Sequence, residues 1–127
     1  IKEIQKRNID FICLNYANPD MVGHTGDFNA VKKAVEEVDI CVEQIVKTSV
    51  NQDYTLIIIA DHGNAELMLN SDGTPNTAHT TNKVPCFIIN SNYESVKEGN
   101  LCDVAPTILK LMGIEKPVEM TGKSILH

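Results

Sequence analysis

The residues best able to do chemistry in this chain are histidines and aspartates that recur beside glycines. Asp20 and His24 lie four apart in Asn18-Pro19-Asp20-Met21-Val22-Gly23-His24-Thr25-Gly26. Asp61 and His62 are adjacent and open Asp61-His62-Gly63-Asn64, and His79 sits in Thr77-Ala78-His79-Thr80-Thr81. Of the 4 histidines, only His127, the last residue, stands apart. Carboxylate plus imidazole is a natural ligand set for Mn²⁺ or Zn²⁺. A four-residue spacing lets one turn of chain aim Asp20 and His24 at a single ion. The candidate ligands exceed what one four-coordinate ion needs, so they suggest two ions with incomplete shells. A single Asp or His after a strand is more often an ordinary loop or cap residue. The metal reading rests on the grouping: every non-terminal histidine falls in such a loop, and two have an Asp close by. Gly23, Gly26 and Gly63 permit tight turns around an ion, although turn punctuation alone would also explain them.

Those loops need elements to hold them. Asp10-Phe11-Ile12-Cys13-Leu14-Asn15 reads as a buried strand, followed by a polar loop from Tyr16 to Gly26. From Asp27, a plausible N-cap, the apolar period becomes helical through Val31, Ala34, Val35, Val38, Cys41, Val42 and Ile45. Tyr54–Ala60 is β-branched and apolar without alternation, as expected for an inner parallel strand covered on both faces. Glu66–Leu69 could be a short strand, Asn70–Asn76 is rich in turn residues, and Val84–Asn90 is a further core strand. Asp103–Met112 reads as a closing helix, with Asp103 as cap, Pro106 in the first turn and Gly113 beyond its end. This order predicts an α/β fold: a three-layer sandwich with a mostly parallel sheet. Ligand sites in such sheets lie beyond the carboxyl ends of strands, which is where the Asp and His loops fall.

Length and composition set the limits. The chain has 127 residues, 43% hydrophobic and 22% charged, and a net charge of −6. That is globular composition, and no apolar run is long enough to cross a membrane as a helix. The acidic balance and the lack of a basic patch argue against nucleic acid as a partner. Arg7 is the only arginine, so an anionic substrate would need positive charge from metal ions or from residues elsewhere. Cys13, Cys41, Cys86 and Cys102 are widely spaced and read as small, buried, reduced side chains, consistent with a cytoplasmic protein. No secretory leader is evident. The chain starts at Ile1 rather than Met, and Ile1–Asn8 reads as the end of a helix already under way. The expectation is a piece of a larger protein.

Asn18–Gly26, Asp61–Glu66 and Thr77–Thr81 closely resemble segments of the cofactor-independent phosphoglycerate mutases, in the alkaline phosphatase superfamily. So do Val84-Pro85, Leu101–Thr107, Leu111–Ile114 and Glu119–Ser124, in family order across nearly the whole chain. The Asp-His and later His elements occur throughout the superfamily, whereas the forms around Asp20–His24 and His79 are more specific to the mutase. Lys83 stands where the family often has Pro.

The resemblance implies an alkaline-phosphatase-like partial domain over residues 1–127, the carboxy-terminal portion of the metal-binding domain. The activity implied for the parent is interconversion of 2- and 3-phosphoglycerate in glycolysis and gluconeogenesis. It would run through a phosphoserine intermediate with two Mn²⁺ ions (or Zn²⁺, Co²⁺ or Mg²⁺) and without 2,3-bisphosphoglycerate. Asp20, His24 and His79 would hold one ion, and Asp61 and His62 the other. The family's nucleophilic Ser, its further Asp ligand and its phosphotransferase domain have no counterpart here, so the chain alone is expected to be inactive. Thr25 and Thr80 are read as hydroxyls that orient the neighbouring histidines. The missing amino-terminal part is the expected partner, and exposed apolar faces predict self-association or partial disorder near the N-terminus. Two other readings stand beside this one: another phosphatase-like enzyme of the superfamily, such as a phosphopentomutase or phosphodiesterase, and a non-catalytic metal-binding or interaction module.

Overall fold

The computed structural model describes all residues, Ile1–His127. Its longest element is helix α3, Phe28–Asn51, which follows α1 (Lys2–Lys6) and α2 (Asn18–Gly23). Asp27 caps α3 as expected: its carboxylate accepts the Ala30 N–H at 3.0 Å. The apolar stripe explains what α3 carries. Val31 is buried on it, both α1 and α2 pack against it, and Ile4 of α1 is buried. The helix stops where Asp53 takes a positive φ of 60° and the Tyr54 N–H returns to the Ser49 carbonyl. The Tyr54 hydroxyl then donates to the Ile9 carbonyl at 2.6 Å, tying the N-terminal segment to the exit of α3.

Strands β1 (Leu56–Ile59) and β2 (Cys86–Ile89) form a two-stranded sheet, paired from Leu56↔Ile89 to Ile59↔Cys86. The pairing is antiparallel, which corrects the reading of Tyr54–Ala60 as an inner parallel strand covered on both faces. The reason lies in the connection. A parallel pair needs a crossover, usually a helix. Residues 60–85 hold turns and isolated bridges and no helix, so the chain reverses on itself. The unalternated apolar runs were the misleading signal. Neither strand is covered on both faces, and Phe87 is 56% exposed. The expected strand at Asp10–Asn15 has no ladder partner, and Phe11 and Leu14 are exposed. Glu66–Leu69 is likewise not a strand; only Leu69 bridges, to Pro75. The cysteines are not buried either: Cys41 and Cys86 are half-buried, Cys13 and Cys102 exposed, and all four are free thiols.

The closing helix is α4, Val104–Leu111, entered through a 3₁₀ turn at Leu101–Asp103 and ended by Gly113 at φ 69°. Asp103 makes no side-chain cap to α4. Its two carboxylate oxygens instead accept the Lys123 N–H and the Asn100 N–H, each at 2.8 Å. Thr107, 1% exposed, donates its hydroxyl to the Asp103 carbonyl and accepts the Ile125 N–H at 3.1 Å. This clamp lays Lys123–Leu126 along α4 and brings the buried Leu126 to bridge Val96.

The Lys123 and Asn100 amides hold the Asp103 carboxyl below its usual range. A lowered folded pKa contributes stability above the ordinary carboxylate range, and that contribution is lost as pH falls through the folded value. Asp103→Asn should therefore flatten the acid limb of a stability-versus-pH curve and speed hydrogen exchange at Lys123. An unchanged acid limb would refute the clamp.

Candidate metal centre

The segment expected to be a loop at Tyr16–Gly26 folds, over Asn18–Gly23, into the short helix α2, with Pro19 in its first turn. Pro is suited to that position because its fixed φ is helical and its missing N–H would be unpaired there anyway. One helical turn separates Asp20 from His24, whose backbone N–H bonds the Asp20 carbonyl at 3.2 Å. The side chains meet as well: His24 Nε2 lies 3.3 Å from Asp20 Oδ1. The Thr77 carbonyl accepts His24 Nδ1–H at 2.7 Å and so fixes the ring with Nε2 toward the carboxylate. Thr25 does not orient this ring. Its hydroxyl donates to the Val22 carbonyl and accepts the Asp27 N–H, joining α2 to the start of α3.

His79 arrives from the loop ahead of β2. Its Nε2 is 3.0 Å from Asp20 Oδ1 and 3.2 Å from His24 Nε2. His62, just beyond β1, stacks on His79 with ring centroids 3.7 Å apart. Potential ligand atoms of Asp20, His62 and His79 all lie within 4.8 Å of one another. The structure thus brings together four of the expected residues, Asp20, His24, His62 and His79, around one carboxylate. It does not bring in Asp61, whose side chain is 85% exposed and 3.7 Å from His62 Nε2.

Partial burial opposes the charge on Asp20, but the Asn64 amide and then His24, His79 and His62 outweigh it and hold the carboxyl below its usual range. Asn64 gave no chemical signal in the sequence beyond its place after Asp61-His62. It is 5% exposed, and its Nδ2 donates to Asp20 Oδ1 at 2.8 Å. Its Oδ1 is buried without a partner. Gly23 leaves the room for it: a Cβ there would run into the Asn64 amide. Glu66 was also missed, because it stood at the head of an expected strand. It accepts the Asn64 N–H at 2.6 Å, the Asn82 amide at 2.9 Å and the Thr80 hydroxyl. Thr80 thus anchors the loop to Glu66 and makes no recorded bond to a histidine. The Thr80 hydroxyl, first, and then the Asn82 and Asn64 donors overcome desolvation and hold Glu66 below the usual carboxyl range.

One carboxylate kept charged and three imidazoles, one with its far nitrogen fixed, form a donor set that fits Mn²⁺ or Zn²⁺. The Metalloenzyme superfamily profile matches residues 1–116. The chain belongs to the metalloenzyme superfamily. The chain is 55% identical over 126 residues to the 2,3-bisphosphoglycerate-independent phosphoglycerate mutase of Flavobacterium psychrophilum, covering 99% of the chain and 25% of the relative. It is 52% identical to the mutase of Bacteroides thetaiotaomicron, again over 99% of the chain and 25% of the relative. It is 54% identical to mutase 2 of Methanosarcina barkeri, over 99% of the chain and 24% of the relative. A crystal structure of Leishmania mexicana phosphoglycerate mutase at low cobalt concentration superposes with a TM-score of 0.87 at 27% identity, covering 99% of this chain and 26% of that one. This α/β chain therefore spans about a quarter of the length of the curated relatives it matches.

The fit at Gly23 is testable. Gly23→Ala should cost about 1–3 kcal/mol, as overpacking does, read as a lower urea midpoint, because the new methyl must displace Asn64 from Asp20. An unchanged midpoint would show that Asn64 is not wedged there.

Proposed function

We propose that this chain is the metal-holding portion of a 2,3-bisphosphoglycerate-independent phosphoglycerate mutase, an isomerase that interconverts 2- and 3-phosphoglycerate. The observation that carries the reading is the meeting of Asp20 and His24, one helical turn apart on α2, with His79 from the distant loop ahead of β2, in a chain 55% identical to such a mutase. Asp20, His24 and His79 would hold one divalent ion, and Asp61 and His62 would contribute to a second. Manganese suits the mixed carboxylate and imidazole set, with Zn²⁺, Co²⁺ or Mg²⁺ as substitutes.

When bound, such ions lower the pKa of an attacking hydroxyl and neutralise charge on a transferring phosphoryl group. The chain's own residues prepare for that. Thr77 sets the His24 ring, and Asn64 aims the Asp20 carboxylate. The five serines, Ser49, Ser71, Ser91, Ser95 and Ser124, make no recorded bond to the cluster. The nucleophilic serine, the phosphate-binding arginines and the remaining second-ion ligands would come from the rest of the parent polypeptide. Phosphoglycerate would be the small-molecule substrate of that parent, in the cytoplasm; no helix here is long and apolar enough to cross a membrane.

Two measurements test this. Calorimetry should show Mn²⁺ uptake that Asp20→Asn or His24→Ala weakens by more than the roughly 10–100-fold typical of losing an outer partner, and that a chelator reverses. Wild-type affinity in both variants would remove these ligands. The purified chain should give no mutase turnover above a His24→Ala control, while the full-length parent should favour phosphoglycerate over pentose phosphates and phosphodiesters. Turnover by the isolated chain would overturn its expected inactivity, and preference for another phosphate ester would overturn the substrate.

A further inference from the structure

We propose that Glu66 is a positioning residue that locks the three ligand-bearing segments into one register. Its carboxylate touches none of the candidate ligands; it holds the groups that hold them. One oxygen accepts the Asn64 N–H at 2.6 Å, and the Asn64 side chain reaches Asp20 at 2.8 Å. The other accepts the Asn82 amide at 2.9 Å and the hydroxyl of Thr80, the residue after His79. The Thr80 N–H donates to the Gly63 carbonyl at 2.8 Å, so the loop carrying His62 and the loop carrying His79 meet as one antiparallel bridge beside Glu66. Gly63 keeps this junction open, because a Cβ there would run into both the Thr80 hydroxyl and the Glu66 carboxylate.

The chemistry calls for a carboxylate. Three donors converge on Glu66 from two loops: a backbone N–H, an amide N–H and a hydroxyl. An ionised carboxylate offers only acceptors, about four lone-pair sites, and can serve all three. A glutamine of the same shape would turn its NH₂ toward at least one of them. Its loss would free the two loops to slide, and the stacking of His62 on His79 depends on their register.

The inference rests on the metal reading above, so its test has one arm with metal and one without. In the 127-residue chain, Glu66→Gln should weaken Mn²⁺ binding about 10–100-fold, the range for partners that orient ligands. Thr80→Val should act in the same direction, Thr80→Ser should keep wild-type affinity, and the double variant Glu66→Gln/Thr80→Val should bind no worse than Glu66→Gln alone. Asp103→Asn, remote from the cluster, controls for lost stability. Wild-type affinity in Glu66→Gln, or a loss no larger than that of Asp103→Asn, would overturn the proposal. Without metal, Glu66→Gln should speed hydrogen exchange of the Thr80 amide roughly tenfold while the amides of α3 keep their protection. Should the wild-type chain take up no Mn²⁺, the metal reading of this chain fails and the exchange result decides on Glu66: unchanged Thr80 protection overturns it. If all amides speed together, Thr80→Val against Thr80→Ser decides, and equal exchange in those two overturns it.

Discussion

The site depends on keeping one carboxylate charged and aimed. Asp20 stands where a helical turn, a post-strand loop and a pre-strand loop meet, with His24, His62 and His79 around it. Desolvation pushes such a group toward neutrality, and only donors directed at it reverse the balance. Asn64 is the donor that does not depend on a proton equilibrium, since an amide N–H is always present. Its burial and the open space at Gly23 are consequences of that placement. The cost is visible too, as the Asn64 carbonyl oxygen is buried with no partner. A buried unpaired acceptor is destabilising, and here it accompanies the amide contact that helps to steady Asp20.

Apolar packing contributes little to this arrangement. Only 11 of 127 residues are buried, and the hydrophobic ones among them are Ile4, Val31, Met68 and Leu126. The loop region between β1 and β2 is organised instead by hydrogen bonds: Glu66 to three donors, Asn76 to the Leu67 and Ala78 carbonyls, and Asn70 to Thr74 and Pro75. Such bonds are directional, so they set loop register where an apolar contact would tolerate sliding. They are also weak singly when exposed to water, which makes their convergence on one carboxylate more consequential than any one of them.

Local signals in the sequence were readable where one residue type has one dominant use. Asp27 before a helical stripe is a cap, and Gly113 after one is a stop. The Asp and His loops read as a candidate ligand set, and four of those residues converge. What failed were inferences that depend on neighbours. The apolar runs at Leu56–Ile59 and Cys86–Ile89 look the same whether strands run parallel or antiparallel, and the helix-free return of residues 60–85 settled the direction. Cys13, in an apolar run, and Cys102 read as small buried side chains, yet both are exposed. α2 was hidden because Asn, Pro and Gly are turn residues in isolation. Asn64 and Glu66 were hidden for a different reason: a residue that acts by holding another has no composition signature, only a geometry.

The same absence of cover bears on the candidate metal centre. His24 and His79 are nearly half exposed, with side chains at 44% and 48%, and Asp61 is at 85%. Electrostatic attraction between a divalent ion and these groups is attenuated by the water around them, as for any exposed charges. Phe11, Leu14 and Phe87 leave apolar surface open as well. Surface that excluded water from the imidazoles would lower the effective dielectric there and strengthen each contact to an ion. The hydrogen-bonded loops around Glu66 can hold the ligands in register beforehand, because their bonds are made within the chain.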